Sequence, residues 1–278
     1  MEIVVCIKQV PDTTQVRINP ETNTLIREGV ASIINPFDMY ALEEGVRLKE
    51  KYGGTVKVLS MGPPQVEEAL KEALSLGVDE AYLMSDRAFA GADTLATAYT
   101  LAAGIRKLGG ADLLILGRQA IDGDTGQVGP GVAENLGMPH ITDVRKIENI
   151  DDSGSIVVER LLEDGYVRLK TKLPVLLTVV KEINEPRLPS LKGKLRAKKA
   201  SIPVYKADDV EVEAERLGLS GSPTQVMKIF TPPKPARGKI FQGEVRDTVT
   251  ALLRELEASE IPIKKNVRKG EDGANKGN

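Results

Sequence analysis

The sequence predicts an α/β fold with a doubly wound, mostly parallel sheet, an antiparallel excursion and a C-terminal arm. Between residues 2 and 136, short apolar runs alternate with amphipathic helical patterns, an order typical of a parallel sheet covered by helices on both faces. Two of these runs, 3–7 and 113–116, are apolar at every position, as buried parallel strands are. After Gly137 the pattern changes to short segments joined by turn residues, which predicts antiparallel strands.

Each element of the parallel part has its own local signals. The order asparagine, proline and acid in Asn35–Asp38 matches the preferences of a helix N-cap and first turn, and Gly109-Gly110 ends a later helix. Because parallel strands run in the same direction, the loops that follow them share one edge of the sheet, and their crossovers are right-handed. We predict strands at 2–8, 55–61, 80–84 and 111–116, and helices that begin near Asn35, Pro63, Leu95 and Val128.

The second half of the chain is predicted to be less regular. Residues 183–205 are basic and contain several prolines, which predicts an extended segment. We predict antiparallel strands at 141–150, 155–162 and 166–172, followed by a strand at 173–180 that returns to the main sheet.

The C-terminal part is predicted to be an arm with one amphipathic helix. It contains an acidic stretch at 208–215, a proline-rich linker at 231–235 and a final dozen polar residues that we expect to be disordered. An apolar stripe behind a linker favours packing on another chain, and packing on its own domain is the alternative. The stripe consists of Val245, Val249, Leu252, Leu253 and Leu256.

Composition excludes several function classes. The net charge of −2, the 4% of aromatic residues and the absence of tryptophan argue against a nucleic-acid binder. With Cys6 as the only cysteine and His140 as the only histidine, the chain lacks the residues for a multi-thiolate or histidine-cluster metal site or a catalytic triad, and we predict structural roles for both. The N-terminus has no signal-peptide pattern and no apolar run reaches about 18 residues, which predicts a cytoplasmic protein.

The most informative segment is the glycine loop, Gly117–Gly129, which joins a buried strand to a helix. Its four glycines allow backbone N–H groups to approach an anion, and the helix N-terminus adds partial positive charge, so a nucleotide phosphate is the expected ligand. The loop has neither a Walker A nor a G-x-G-x-x-G sequence, and an ordinary strand-to-helix turn is the alternative.

Side chains of the glycine loop have more than one possible role. Arg118 offers a fixed charge for a phosphate, and Thr125 and Gln127 offer neutral donors. Asp122 and Asp124 would repel phosphate if they faced it. We therefore expect one of them to accept ribose hydroxyls or backbone N–H groups and the other to cap the following helix.

Two further segments are candidates for binding. In Asp86–Thr94, between a strand and a helix, Asp93 and Thr94 either cap the helix or contact a ligand. In Leu191–Lys199, five basic residues alternate with leucines, which fits a docking loop whose charges attract an acidic partner while a leucine anchors it. A solvated basic loop is the alternative, and nucleic acid is a third one.

These stretches, taken in order, resemble the electron-transfer flavoprotein beta subunit over nearly the whole chain. The motifs that carry the resemblance are Val5–Asp12, Asn35–Asp38, Ser60–Pro63, Gly117–Gly129 and Asn184–Arg187 with the basic segment that follows. The resemblance implies a heterodimer with an alpha subunit that holds FAD on a mobile domain. It also implies a cofactor site made of Cys6 (through its backbone), Asn35, Asp38, Met61, Thr94, Gly117, Arg118, Gln119, Ala120, Ile121, Asp122, Gly123, Asp124, Thr125, Gln127, Val128 and Gly129.

The resemblance also implies how the chain is divided and where partners bind. It identifies 1–183 as a nucleotide-binding, Rossmann-like domain, 184–205 as a partner-recognition loop and 206–278 as an arm that packs on the alpha subunit. Leu191 occupies the anchoring position of that loop, with Leu195 and Arg196 as further partner-binding residues. Arg196 stands where some relatives carry a modified lysine, so that modification is not expected here.

The family has two branches, which differ in the nucleotide of this subunit. In the conventional branch it is a structural AMP, and the heterodimer shuttles single electrons from acyl-CoA dehydrogenases. In the bifurcating branch it is a second FAD, which takes electrons from NADH and sends them to a low-potential acceptor, ferredoxin or flavodoxin, and to a high-potential dehydrogenase or quinone route. Asp86–Thr94 and the small residues of Asp122–Gly126 resemble the bifurcating branch, so FAD is expected.

Three alternatives to this expectation stay open. They are the conventional subunit with AMP, an ATP-binding protein of the same fold, and an interaction module whose nucleotide site is empty. Membrane contact is expected only through a partner.

Overall fold

The computed structural model describes residues 1–12, 31–227 and 238–259. The chain forms two compact units, 1–229 and 230–278. In the described part of the first unit the strands are β1 (Glu2–Ile7), β2 (Gln9–Pro11), β3 (Ser32–Ile34), β4 (Thr55–Met61), β5 (Glu80–Met84), β6 (Leu113–Gly117), β7 (His140–Ile150), β8 (Ser155–Leu161), β9 (Tyr166–Lys172), β10 (Val175–Val179) and β11 (Val204–Tyr205). The helices are α1 (Pro36–Tyr52), α2 (Glu67–Ser75), α3 (Thr94–Lys107), α4 (Val128–Leu136) and α5 (Leu191–Lys199), and the second unit contains α6 (Val245–Ala258).

Nine of these strands form one sheet, in the order β11-β5-β4-β1-β6-β10-β7-β8-β9. From β11 to β7 all neighbours are parallel, and β7, β8 and β9 are antiparallel to one another. The chain runs outward from β1 to β5 and then continues at β6 on the other side of β1. This reversal creates a crevice at the carboxyl ends of β1 and β6, where open α/β sheets bind ligands. The predicted fold class is confirmed.

The two faces of the sheet are buried under separate helical layers. Along β1, Ile3 and Val5 pack into a cluster with residues of α1 and α2, whereas Val4 and Cys6 pack into a second cluster with α3 and α4. A strand buried on both faces needs an apolar side chain at every position, because successive side chains point to opposite faces. The continuous apolar run of β1 therefore places this strand in the centre of the sheet.

The prediction of an extended segment over 183–205 is wrong. Residues 191–199 form α5, whose N-cap is Ser190, with its Oγ accepting a hydrogen bond from the Gly193 N–H at 3.0 Å. Leu191 and Leu195 are four residues apart, the spacing of neighbours on one helix face. Val204 and Tyr205 then pair with β5 as the outermost parallel strand. The antiparallel pair β2–β3 was likewise not predicted.

Residues 206–227, which follow β11, belong to the first unit and pack partly into its core. Leu217 is buried in the cluster beneath α3, with Val210 and Val212 against it. In the second unit α6 matches the predicted amphipathic helix. The proline-rich linker at 231–235 and the final dozen residues lie outside the described residues, and the predicted division of the chain stays a prediction. Among the described helices, none combines the length and the hydropathy needed to cross a membrane.

Candidate functional site

Asn35 connects the glycine loop to the end of β1. Its backbone N–H donates to the Lys8 carbonyl at 2.8 Å. Its side-chain Nδ2 donates to the Gln119 carbonyl at 2.9 Å, and its Oδ1 accepts from the Ile121 N–H at 3.0 Å. Asn35 stands at the predicted N-cap of α1, but its side chain makes no capping hydrogen bond. The buried amide instead holds two backbone groups of the loop.

Asp38, in the first turn of α1, holds the ends of β1 and β6 together. Its carboxylate accepts a hydrogen bond from the Lys8 N–H at 2.7 Å and another from the Gly117 N–H. Burial raises the pKa of Asp38 to about 7, although these hydrogen bonds and one from Asn35 act to lower it. A Cβ at Gly117 would lie 2.3 Å from Asp38 Oδ1 and 2.7 Å from the Phe37 carbonyl carbon. Glycine is therefore required where β6 meets α1.

The two acids of the glycine loop are engaged by neighbouring side chains. Asp122 forms an ion pair with Lys8, whose Nζ lies 2.6 and 2.8 Å from the two carboxylate oxygens. The carboxylate of Asp124, a residue with a φ of +53°, accepts a hydrogen bond from Gln119 Nε2. The prediction that one of them caps α4 is wrong, because the N-cap is Gln127 and makes no side-chain capping bond.

The glycine loop presents backbone donors next to the start of α4. Within the described residues, the N–H groups of Gly123, Thr125 and Gly126 donate to no protein acceptor. Gly126 has a φ of +62°, which glycine adopts without strain. A Cβ at Gly129 would lie 2.4 Å from Thr178 Cγ2, so this glycine lets α4 pack on β10. Free N–H groups before a helix N-terminus form a site suited to a phosphate.

The segment Asp86–Thr94 lies beside the glycine loop. Thr94 Oγ1 donates a hydrogen bond to Gln127 Oε1 at 3.1 Å. Asp93 caps α3 by accepting from the N–H groups of Leu95 and Ala96, at 2.9 and 3.1 Å. Capping is therefore the observed role of Asp93, whereas Thr94 connects the two segments.

The other predicted cofactor residues occupy the same edge of the sheet or the loop itself. Met61 ends β4, and Cys6 lies near the end of β1. Burial raises the pKa of the Cys6 thiol to about 12, with a contribution from the charge of Asp38, so the thiol is neutral. Arg118 donates its backbone N–H to the Val179 carbonyl. Ala120 and Thr125 belong to the loop, and Val128 begins α4.

The predicted partner-binding residues divide into two groups on α5. Leu191 and Leu195 are 76% and 57% exposed. The Arg196 guanidinium instead donates to the carbonyls of Leu74, at 2.8 Å, and Val78, at the C-terminal end of α2. Arg196 therefore has an internal contact that the sequence did not indicate, whereas the leucines are available for contact.

An ion-pair network fixes the segment that leads to α5. Arg187 Nε lies 2.8 Å from Glu43 Oε2, and its Nη1 lies 2.6 Å from Glu50 Oε1. The hydrogen bond from Arg187 lowers the pKa of Glu50. Asn184 Nδ2 donates to the Tyr40 carbonyl at 3.0 Å. This motif, which contributed to the resemblance, attaches the α5 segment to α1.

Sequence reasoning missed two charged residues of the site. Lys8 pairs with Asp122, and Asp143 of β7 pairs with Arg118, whose Nε lies 3.2 Å from the Asp143 Oδ1. Lys8 follows directly after an apolar strand, a position that could have been identified as a loop at the binding edge. Asp143 carries no such local signal, because its role depends on a strand pairing that is distant in sequence.

Comparison with known proteins identifies the family. The profile of the electron transfer flavoprotein domain matches residues 22–210. The chain belongs to the electron transfer flavoprotein family. It is 54% identical to the electron transfer flavoprotein subunit beta of Thermoanaerobacterium thermosaccharolyticum, over 94% of this chain and 100% of the relative. The resemblance inferred from the sequence is confirmed.

Other relatives in this flavoprotein family have different names. The chain is 49% identical to the caffeyl-CoA reductase-Etf complex subunit CarD of Acetobacterium woodii, over 94% of this chain and all of the relative. It is 50% identical to the protein FixA of Azorhizobium caulinodans, over 84% and 85% of the two chains. The chain is thus a beta subunit that functions in electron transfer and has an alpha subunit as its partner.

Proposed function

We propose that this flavoprotein subunit binds FAD along the glycine loop and takes electrons from NADH for bifurcation. One electron would go to ferredoxin or flavodoxin and the other to a partner dehydrogenase or quinone route. The observation that most directly supports FAD is the hydrogen bond between Thr94 and Gln127, because it joins the glycine loop to Asp86–Thr94. A site formed by the glycine loop together with Asp86–Thr94 is larger than the adenylate part of a nucleotide needs, and it would leave room for the rest of an FAD.

The residues of the loop fit a dinucleotide. The N–H groups of Gly123, Thr125 and Gly126, together with the start of α4, would hold the phosphates. A Cβ added at Gly123 meets no protein atom within 4 Å, so the packing of the chain does not explain this glycine, whereas room for a ligand does. FAD supplies the hydride and single-electron chemistry, and the protein supplies binding and orientation.

The name of one relative supports an oxidoreductase partner. The Acetobacterium woodii protein is by name a subunit of a complex between an Etf and a caffeyl-CoA reductase. It shares 49% of its residues with this chain over its entire length. We infer that this heterodimer also delivers electrons to an oxidoreductase.

Structural AMP is the second candidate for the same loop. The N–H groups of Gly123, Thr125 and Gly126 lie close together in the chain and adjoin the start of α4, and a single phosphate is enough to accept hydrogen bonds from them. In that case the heterodimer would shuttle single electrons and would not oxidise NADH for bifurcation.

The test is a count of nucleotides in the heterodimer purified with its alpha subunit. We expect two FAD and no AMP after denaturation and chromatography. One FAD with one AMP would overturn bifurcation in favour of the conventional carrier, and one FAD with no other nucleotide would overturn the loop assignment.

A matched pair of variants sharpens this count. Gly123→Leu should reduce the FAD content of the beta site by filling space that no protein atom occupies. Gly165→Leu is the control, because Gly165, in the turn between β8 and β9, also has no protein atom within 4 Å of an added Cβ. Equal FAD content in both variants would contradict the proposed path of the dinucleotide.

A further inference from the structure

Asp143 has a backbone conformation that needs an explanation. Its φ is +57°, although it lies inside β7 and carries a side chain. Here the pairing of β7 with β10 changes register, because Leu177 pairs with Ile141 and Val179 pairs with Val144. Between these two pairs the chain advances by three residues on β7 and by two residues on β10, so β7 contains a bulge with one extra residue. Bulges redirect side chains, and strained residues cluster at functional sites.

The contacts of Asp143 show where its side chain is directed. Its N–H donates to Thr178 Oγ1 at 3.2 Å, and its carboxylate lies 3.2 Å from Arg118 Nε. Thr178 is buried on β10, and its methyl group packs against Gly129 in the first turn of α4. Asp143 is thus fixed by a buried residue and aimed at the first side chain of the glycine loop.

Stability does not explain this arrangement. The Arg118 side chain is half exposed, and an ion pair in that environment contributes little to the free energy of unfolding. The left-handed conformation of Asp143 disfavours folding, although aspartate tolerates it better than most residues do. A strained backbone that supports a weak surface ion pair indicates that this pair serves ligand binding and not the stability of the fold.

We propose that Asp143 is a positioning residue that orients Arg118 toward the phosphate of the bound nucleotide. This inference rests on the proposed nucleotide site. A guanidinium is planar, with its donors in a fixed fork. A carboxylate held beside Nε by ion pairing therefore limits the orientations of the guanidinium, and its terminal nitrogens can donate to a phosphate that the loop N–H groups also contact.

The experiment compares AMP with adenosine, which lacks the phosphate, on heterodimer depleted of the beta-site nucleotide. Asp143→Asn removes the charge but keeps a residue that tolerates the left-handed conformation. We expect it to weaken AMP binding about 5- to 10-fold, corresponding to about 1–1.4 kcal/mol, and to leave adenosine binding unchanged. Asp152→Asn, in an exposed turn, is the control and should change neither.

The same substitution made in an Arg118→Ala variant distinguishes a positioning role of Asp143 from a structural role. In Arg118→Ala heterodimer, Asp143→Asn should cause no further loss of AMP affinity, because the residue through which it acts is absent. Equal losses for AMP and adenosine, or an undiminished effect without Arg118, would overturn the inference. If Asp143→Asn does not fold, Thr178→Val removes the acceptor of the Asp143 N–H and should lower the AMP-to-adenosine preference in the same direction.

The outcomes distinguish this inference from the proposed function. Wild-type heterodimer that binds neither AMP nor FAD at this site would overturn the nucleotide site, and the inference with it. Wild-type heterodimer that binds AMP, together with an Asp143→Asn variant of unchanged AMP-to-adenosine preference, would overturn the role of Asp143 alone.

Discussion

The glycine loop and α5 both contain predicted binding residues, but the chain supports them in different ways. The loop is held by side chains from three segments distant in sequence, namely Lys8, Asn35 and Thr94. On α5, Arg196 is bound to carbonyl groups at the end of α2, and Leu191 and its neighbour Leu195 are exposed.

This difference matches what each region is proposed to bind. A small anionic ligand requires donors fixed in position, and a set of fixed donors requires support from several elements. A protein partner requires an apolar residue that projects from a rigid base. Substitutions of the residues that support the loop should therefore affect folding and binding together, whereas substitutions on the exposed face of α5 should affect partner binding alone.

Gly117→Ala should have the largest effect. Its Cβ would overlap Asp38 and the backbone of Phe37, which we expect to lower the free energy of unfolding by about 2–4 kcal/mol and to abolish nucleotide retention. Urea denaturation and a nucleotide count measure these effects. The control is Gly123→Ala, which meets no atom within 4 Å and should be as stable as wild type. Equal stability of the two variants would contradict the close packing at β6.

The buried carboxyl of Asp38 should make the loop region sensitive to pH. Its folded pKa of about 7 is above the ordinary value, so between about pH 4 and 7 the folded state binds a proton that the unfolded state has lost. The contribution of this group to the free energy of unfolding therefore falls as the pH rises, by at most about 1.4 kcal/mol per pH unit. Asp38→Asn should remove this slope, which denaturation curves across that range would show. Parallel pH profiles for variant and wild type would argue against a raised pKa.

On α5, Leu191→Ala should weaken partner reduction without affecting the nucleotide site. We expect truncation of this apolar side chain to lower partner affinity about 10-fold, because an important interface residue costs more than about 1 kcal/mol when it is truncated to alanine. Steady-state reduction of the partner measures this change. Lys192→Ala is a control on the neighbouring residue, and it should change the salt dependence of partner reduction more than the affinity for the partner. A loss of nucleotide in Leu191→Ala would show that the two regions are not independent.

Arg196→Gln should have the smallest effect, and only on stability. It removes charged donors from the carbonyls of Leu74 and Val78, which we expect to lower the free energy of unfolding by about 1–2 kcal/mol. Lys198→Gln, an exposed residue on the same helix, is the control and should be neutral. If Arg196→Gln impairs partner reduction at full stability, Arg196 binds the partner directly.

Local patterns predicted the elements better than the contacts between them. The run of five apolar residues in β1 indicated a strand buried on both faces, and the structure places it in the centre of the sheet. Residues 183–205 were predicted to be extended from their basic composition and their prolines, and the four-residue spacing of Leu191 and Leu195 was not used. The capping position of Ser190 was a second available signal for that helix.

In the candidate site, too, local patterns were predicted better than contacts between distant segments. The glycine loop was predicted because strand, turn and helix signals lie next to one another in the sequence, and Asn35 was predicted from the family resemblance. The pairing of Lys8 with Asp122 and of Arg118 with Asp143 was not found, since it depends on which strands are neighbours.

By itself the sequence determined the α/β class, the family and the loop that carries the candidate phosphate donors, because each element and each motif consists of residues close together in the chain. The tertiary structure decided the order of strands, and with it the crevice between β1 and β6 where segments more than 100 residues apart meet. It also decided the strained conformation of Asp143, since a bulge exists only relative to a neighbouring strand. Apolar periodicity is a local property, whereas strand pairing and ion pairing depend on the approach of distant segments.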